Sequence, residues 1–85
     1  MNIKITDLKK KILYRANYRG TKEMDILLST FVNKIIEDLS EEKLIELLEF
    51  LKNDDDTLYK LNQRIPIPHN FQNNDIFKMF VEHKP

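Results

Sequence analysis

Apolar residues recur along this chain at the three- and four-residue spacing of a helix, and they do so in successive blocks. The clearest block is Met24, Leu27, Leu28, Phe31, Val32, Ile35 and Leu39, which keeps the i, i+3, i+4, i+7 rhythm for about four turns and predicts the helix at the centre of the core. Ahead of it, Leu8, Ile12 and Ala16 form a narrower seam, with Lys9, Lys10 and Lys11 facing outward. Behind it come Leu44, Leu47, Leu48 and Leu51, then Leu58 and Leu61, then Ile76, Phe77, Phe80 and Val81.

The residues between the blocks punctuate them. Residues 1–5 read as a frayed end, with Thr6 or Asp7 capping the first helix through a side-chain oxygen. That helix is expected to end near Arg19, with Gly20 as the left-handed residue that closes it. Thr21 then caps the second helix, and Ser40 the third, where Glu41 and Glu42 suit the positive end of the helix dipole. Residues 53–56 form an acidic turn before a short fourth helix. Ile65-Pro66-Ile67-Pro68 must be extended, because each proline lacks a donor and pushes its predecessor out of helical space. A last helix starts near Asn74. The expected fold is an all-α, single-domain five-helix bundle over residues 1–85.

Composition supports that architecture. One Gly and three Pro in 85 residues leave few turns for strands. A chain of this length buries only about 60–65% of its unfolded surface, so the core is thin. With no Cys, disulfides, thiolate metal sites and thiol catalysis are excluded. Fourteen basic and fourteen acidic residues give no net charge, against the basic excess usual in proteins that displace phosphate counterions. No apolar run approaches the roughly 20 residues that span a bilayer, and the opening residues do not read as a signal or transit peptide. A cytoplasmic protein is expected, and its Lys, Ile and Asn richness suggests an AT-rich bacterial genome.

Candidate chemistry is sparse. His69 and His83 are far apart and have no i, i+4 ligand partner, so each reads as solvated or weakly packed rather than as one of the three or four ligands of a metal site. Asp54-Asp55-Asp56 lacks the alternating ligands, glycine and distal Glu of a calcium loop, and a helix N-cap explains it. One glycine makes no phosphate-cradling loop, and Ser29 and Ser40 have no His nearby to act as base. No catalytic set, metal site or stably bound cofactor is expected.

One corner stands out. Arg15, Tyr18 and Arg19 crowd the last turn of helix 1, and Glu23 and Asp25 open helix 2 just past Gly20. Dipole complementarity accounts for such charges, at about 0.3–1 kcal/mol each, and an Arg19–Glu23 pair across the turn would pin the two helices. The same residues would serve equally as a docking surface.

The run 13–28, Leu-Tyr-Arg-Ala-Asn-Tyr-Arg-Gly-Thr-Lys-Glu-Met-Asp-Ile-Leu-Leu, resembles the signature of the FAD assembly factors of succinate dehydrogenase, small five-helix proteins marked by R-G-x-x-E followed by an acidic residue and an apolar helix. Arg19, Gly20 and Glu23 match the motif and Asp25 the acidic position after it. The likeness extends over about residues 8–83. Tyr18 stands where many members have a second basic residue, Thr21 where many have Met or Leu, and Leu61 where an aromatic is common. The resemblance implies an assembly chaperone, not an enzyme, that binds the flavoprotein subunit of succinate dehydrogenase, with fumarate reductase as a second candidate client. It implies that the factor promotes covalent attachment of FAD to a His of that subunit, so FAD is the partner's cofactor and His69 and His83 are not the acceptor. Arg19, Gly20, Glu23 and Asp25 then form the docking corner, with Arg15 and Tyr18 as secondary contacts, on a factor that is monomeric when free. The alternatives are a helical DNA-binding regulator using the Gly20 turn as a helix-turn-helix, against which Glu23 and Asp25 at the start of helix 2 argue, and a direct enzyme, for which no constellation is found.

Overall fold

The computed structural model describes residues 3–65 and 75–84. These form α1 (Ile3–Asn17), α2 (Lys22–Ile35), α3 (Glu41–Phe50), α4 (Asp55–Asn62) and α5 (Asp75–Glu82), with a tight 3-10 turn, Ile36–Asp38, continuing α2. The all-α, five-helix expectation holds. α1 packs on α2 and α3, and α5 lies across α3 and α4.

Three helix starts are capped by the side chains that local sequence favours. Thr21 Oγ1 accepts from the Met24 N–H at 3.2 Å, Ser40 Oγ from Lys43 at 3.2 Å, and Asp54 Oδ1 from Thr57 at 2.9 Å. Each satisfies an amide that the helix itself leaves unpaired.

The start of α1 differs from expectation. The helix begins at Ile3, so Thr6 and Asp7 lie within it and residues 3–5 are helical rather than frayed. Ile5 and Leu8 pack against the core, and that burial outweighs the roughly 1 kcal/mol a cap would contribute three residues later. The end of α1 differs too. It stops at Asn17, and Gly20 does not take a positive φ. Among the described residues the left-handed conformation falls to Arg64, at φ 61° after α4. There the Ile65 N–H reaches Lys60 O at 2.9 Å and the Arg64 N–H reaches Leu61 O at 3.2 Å, the paired bonds of a Schellman C-terminus.

At the centre Phe31 of α2, Phe50 of α3 and Phe80 of α5 are all fully buried. Their ring centroids lie 5.0–6.0 Å apart, and Phe77 meets Phe50 edge-on at 5.0 Å. Such tilted and edge contacts add about 0.5–1.5 kcal/mol each beyond area burial. Phe50 was not in the expected stripe, although it lies three residues past Leu47 on the same face; Leu48, which was, is only half-buried. The buried series of α2 continues at four-residue spacing through Leu28, Val32 and Ile36, while Ile35 and Leu39 of the expected stripe are only partly buried against the core.

His83 also departs from expectation. It is 5% exposed, with Nε2 3.0 Å from Thr30 Oγ1 and its ring 5.4 Å from Phe31. α5 ends over the α2 face and carries the imidazole in with it, while Asn62 of α4 donates to Phe80 O at 2.8 Å and His83 O at 3.0 Å, closing the end of α5. His69, Asn74 and the prolines of the 65–68 link lie outside the described residues.

Candidate functional site

The corner at Arg19 and Gly20 is built from two loops. The first joins α1 to α2, and the second, around residues 51–54, joins α3 to α4. Arg19 runs inward between them, its side chain only 10% exposed. Nε donates to Asp55 Oδ1 at 2.8 Å, Nη1 to Leu51 O at 2.8 Å and to Arg15 O at 3.3 Å, and Nη2 to Asn53 O at 2.8 Å. The guanidinium thus satisfies carbonyls that the ends of α1 and α3 leave unpaired, a role its planar fork suits better than an ammonium.

Asp55 completes the arrangement with its second oxygen. Oδ2 accepts from the Gly20 N–H at 2.8 Å, while the Arg19 N–H donates to Asp25 Oδ1 at 2.6 Å. Asp55 and Asp25 stand in the first turns of α4 and α2, where helix dipoles favour their charge. A side chain here would be tight: a Cβ at residue 20 would lie 3.0 Å from Asp55 Oδ2, and the carboxylate would have to give by a few tenths of an ångström. The Arg19–Glu23 pair considered from sequence does not form; the partner is Asp55, 36 residues away.

The six candidate residues therefore separate into three places. Arg19, Gly20 and Asp25 belong to the internal clamp. Glu23 is exposed on the other side of α2, lining a small groove of about 150 Å³ with Tyr59 and Gln63 of the α4 end. Arg15 and Tyr18 face a larger groove between α1 and α3, about 680 Å³, together with Lys10, Lys11, Tyr14 and Lys52, and Arg19 of the clamp lines it too. Here Tyr14 and Tyr18 are 65% and 71% exposed and lie against each other at a 36° tilt, with centroids 4.6 Å apart.

Sequence reasoning missed Asp55, Tyr14 and Tyr59. Tyr14 had a local signal, since its i, i+4 spacing to Tyr18 puts both rings on one helix face. Asp55 had none beyond membership of an acidic run. The three carboxylates of that run do different things. Asp54 caps α4, Asp55 holds the clamp and Asp56 pairs with Lys60 at 3.1 Å. Among the described residues no three His, Asp or Glu side chains converge as metal ligands, and no helix is long and apolar enough to cross a membrane.

A family model described as "Flavinator of succinate dehydrogenase" matches residues 10–84. The mitochondrial succinate dehydrogenase assembly factor 2-B of Drosophila yakuba is 37% identical over 78 residues, which is 88% of this chain and 49% of that protein. Factor 2-A of Drosophila persimilis is 36% identical over 78 residues, with 88% and 48% covered. Factor 2 of Drosophila virilis is 35% identical over 78 residues, with 88% and 49% covered. The chain spans about half the length of these curated relatives. No solved structure matches it. The matched stretch contains the whole clamp, from Arg19 to Asp55, and both grooves beside it.

Proposed function

The chain belongs to the family of flavinators of succinate dehydrogenase, and on that premise we propose that it is a non-catalytic assembly chaperone for the flavoprotein subunit of succinate dehydrogenase. It binds the subunit before FAD is covalently attached and promotes that attachment, with the flavoprotein subunit of fumarate reductase as a second client. The observation that carries this reading is the family match, which runs over residues 10–84 and so includes the Arg19–Gly20–Glu23 motif and the helices around it. The names of the matched relatives agree with it. A DNA-binding role finds no support in these matches, and α2 opens with Glu23 and Asp25, a poor lead into a phosphate-lined groove.

The mechanism follows from what the chain has to work with. FAD is the client's group, and the covalent bond would form between flavin and client His, with this chain contributing none of the bonded atoms. A chaperone without a base or nucleophile in this step acts by binding one client state better than another. Shifting a client from 1:99 to 99:1 in favour of the competent state takes about 5.5 kcal/mol of differential affinity. The exposed parts of the corner, Arg15, Tyr18 and Glu23, meet the client directly. Arg19, Gly20 and Asp25 act behind them by fixing the turn that presents them. The factor works as a monomer in the bacterial cytoplasm; the matched relatives are themselves named mitochondrial.

The test uses the purified flavoprotein subunit, free FAD and the chain. Covalent flavin is read as fluorescence of the denatured subunit in a gel. Adding the chain is expected to raise the yield severalfold, and titration is expected to show much weaker binding to the subunit once flavin is attached. Equal affinity for both forms, or a yield indifferent to the chain, would refute the reading.

A further inference from the structure

The groove between α1 and α3 holds more positive charge than the clamp beneath it uses. Arg19 is bound by Asp55, and Lys52 reaches Glu49 at 3.0 Å on its own helix end. Among the described residues no carboxylate pairs with Lys10, Lys11 or Arg15. In a chain whose formal charge is zero, this is a local concentration of one sign.

Lysines on a helix face are ordinarily just solvated. Here they frame an exposed aromatic platform, Tyr14 on Tyr18, with the half-buried Leu48 alongside. Tyr and Arg are enriched where partners are gripped, because each offers apolar surface and a polar group at modest entropic cost. Dimensions narrow the occupant. From Lys10 to its last residue, Asn17, α1 advances about 10 Å, which about three residues of extended chain would span.

We propose that this groove binds an exposed acidic segment of the flavoprotein client, a short extended stretch with carboxylates flanking one apolar side chain. The carboxylates meet Lys10, Lys11 and Arg15, and the apolar side chain lies on the tyrosine pair. This rests on the functional reading above for the identity of the client, while the chemistry of the segment rests on the groove alone. Capture through such a site is fast and salt-sensitive, because exposed charges are screened beyond about 8 Å at physiological ionic strength.

The test measures binding and flavin attachment separately. The full chain is titrated by fluorescence anisotropy against a labelled pentapeptide of four carboxylates around one leucine, against the flavoprotein subunit lacking covalent FAD, and against single-stranded oligothymidylate. The Lys10→Glu/Lys11→Glu variant is expected to lose about tenfold or more in affinity for peptide and subunit, and Tyr14→Ala about fivefold. Lys10→Arg/Lys11→Arg keeps the charge and should bind like the parent. All three change exposed side chains, so urea midpoints should stay within experimental error of the parent's. If the charge-reversed variant binds both probes normally, the groove is not the docking site, even where the parent attaches flavin. If the groove-dependent binding is present and the parent attaches no flavin, the acidic-segment site stands and the chaperone reading falls. Tighter binding to oligothymidylate than to the peptide, or dimers in sedimentation that the same variants abolish, would overturn the proposal in favour of a nucleic acid or a second copy of the chain.

Discussion

With its guanidinium bonded to Asp55, Leu51 and Asn53, Arg19 ties two loops that have no covalent reason to stay together. Removing one partner of a largely buried charged pair leaves the other uncompensated. Arg19→Ala is therefore expected to cost about 2–3 kcal/mol in urea unfolding, below the usual range for fully buried pairs because Asp55 keeps some solvent contact. A double-mutant cycle with Asp55→Ala should return a coupling of about 1–2 kcal/mol, whereas independent effects would add. Gly20 gives the sharper test. Its φ is not left-handed, so alanine there would ordinarily stabilise by about 0.4–1 kcal/mol through the unfolded chain. The clamped Asp55 carboxylate, 3.0 Å from the would-be Cβ, reverses that sign. Gly20→Ala is expected to destabilise the parent by about 1 kcal/mol and to stabilise the Asp55→Ala background by the ordinary amount. Loss in both backgrounds would show that something other than Asp55 demands the glycine. Arg19 and Gly20 were conspicuous in the sequence, but helix-propensity and capping signals reach only about four residues. A partner 36 residues distant lies beyond them.

At the scale of the helices, the N-caps of α2, α3 and α4 were legible locally, whereas Thr6 or Asp7 as the cap of α1 and Gly20 as its left-handed end were local readings that the structure overturns. Thr21, Ser40 and Asp54 cap where their neighbours predict, because an N-cap depends on a side chain and an amide two or three residues apart. The ends set by packing or by strain were not legible. α1 gains its extra first turn from Ile5 against the core. α4 ends on a left-handed arginine, for which no glycine or asparagine gave warning. An L-residue pays about 1–2 kcal/mol in that conformation, and the Arg64–Glu82 pair, exposed on both sides, returns little. Arg64→Gly is thus expected to raise stability by about 0.5–1 kcal/mol after allowing for the looser unfolded chain, seen as a higher urea midpoint at unchanged slope. A lower midpoint would show that the Glu82 contact matters more than its exposure suggests.

For the molecule as a whole, the thin core converges on three phenylalanines, and α5 closes it by bringing in Phe80 and His83. The burial of His83 could not be read from a lone histidine near the chain's end, since it depends on where α5 comes to rest against α2. That burial gives the fold a pH dependence. Removal from water, and then the charge of Lys34, lower the His83 pKa from its usual 6.5. The unfolded chain therefore binds more protons than the native one between the two values, and stability rises with pH through that window. The thermal midpoint is expected to be constant above about pH 7 and to fall as pH drops below about 6.5. His83→Phe, which keeps a ring against Phe31, should flatten the change between pH 7.5 and 5.5, and an undiminished slope would assign it to other groups. The clamp has a consequence of its own at this scale, one of time. It joins segments that must first be brought together by the folding of α1, α2 and α3, at a cost in loop-closure entropy, and we expect it to be absent from the folding transition state. An interaction absent from the transition state leaves the refolding rate alone and slows unfolding instead. For the intact protein Arg19 is therefore expected to act as a brake on opening, with Arg19→Ala speeding unfolding and leaving the refolding rate unchanged.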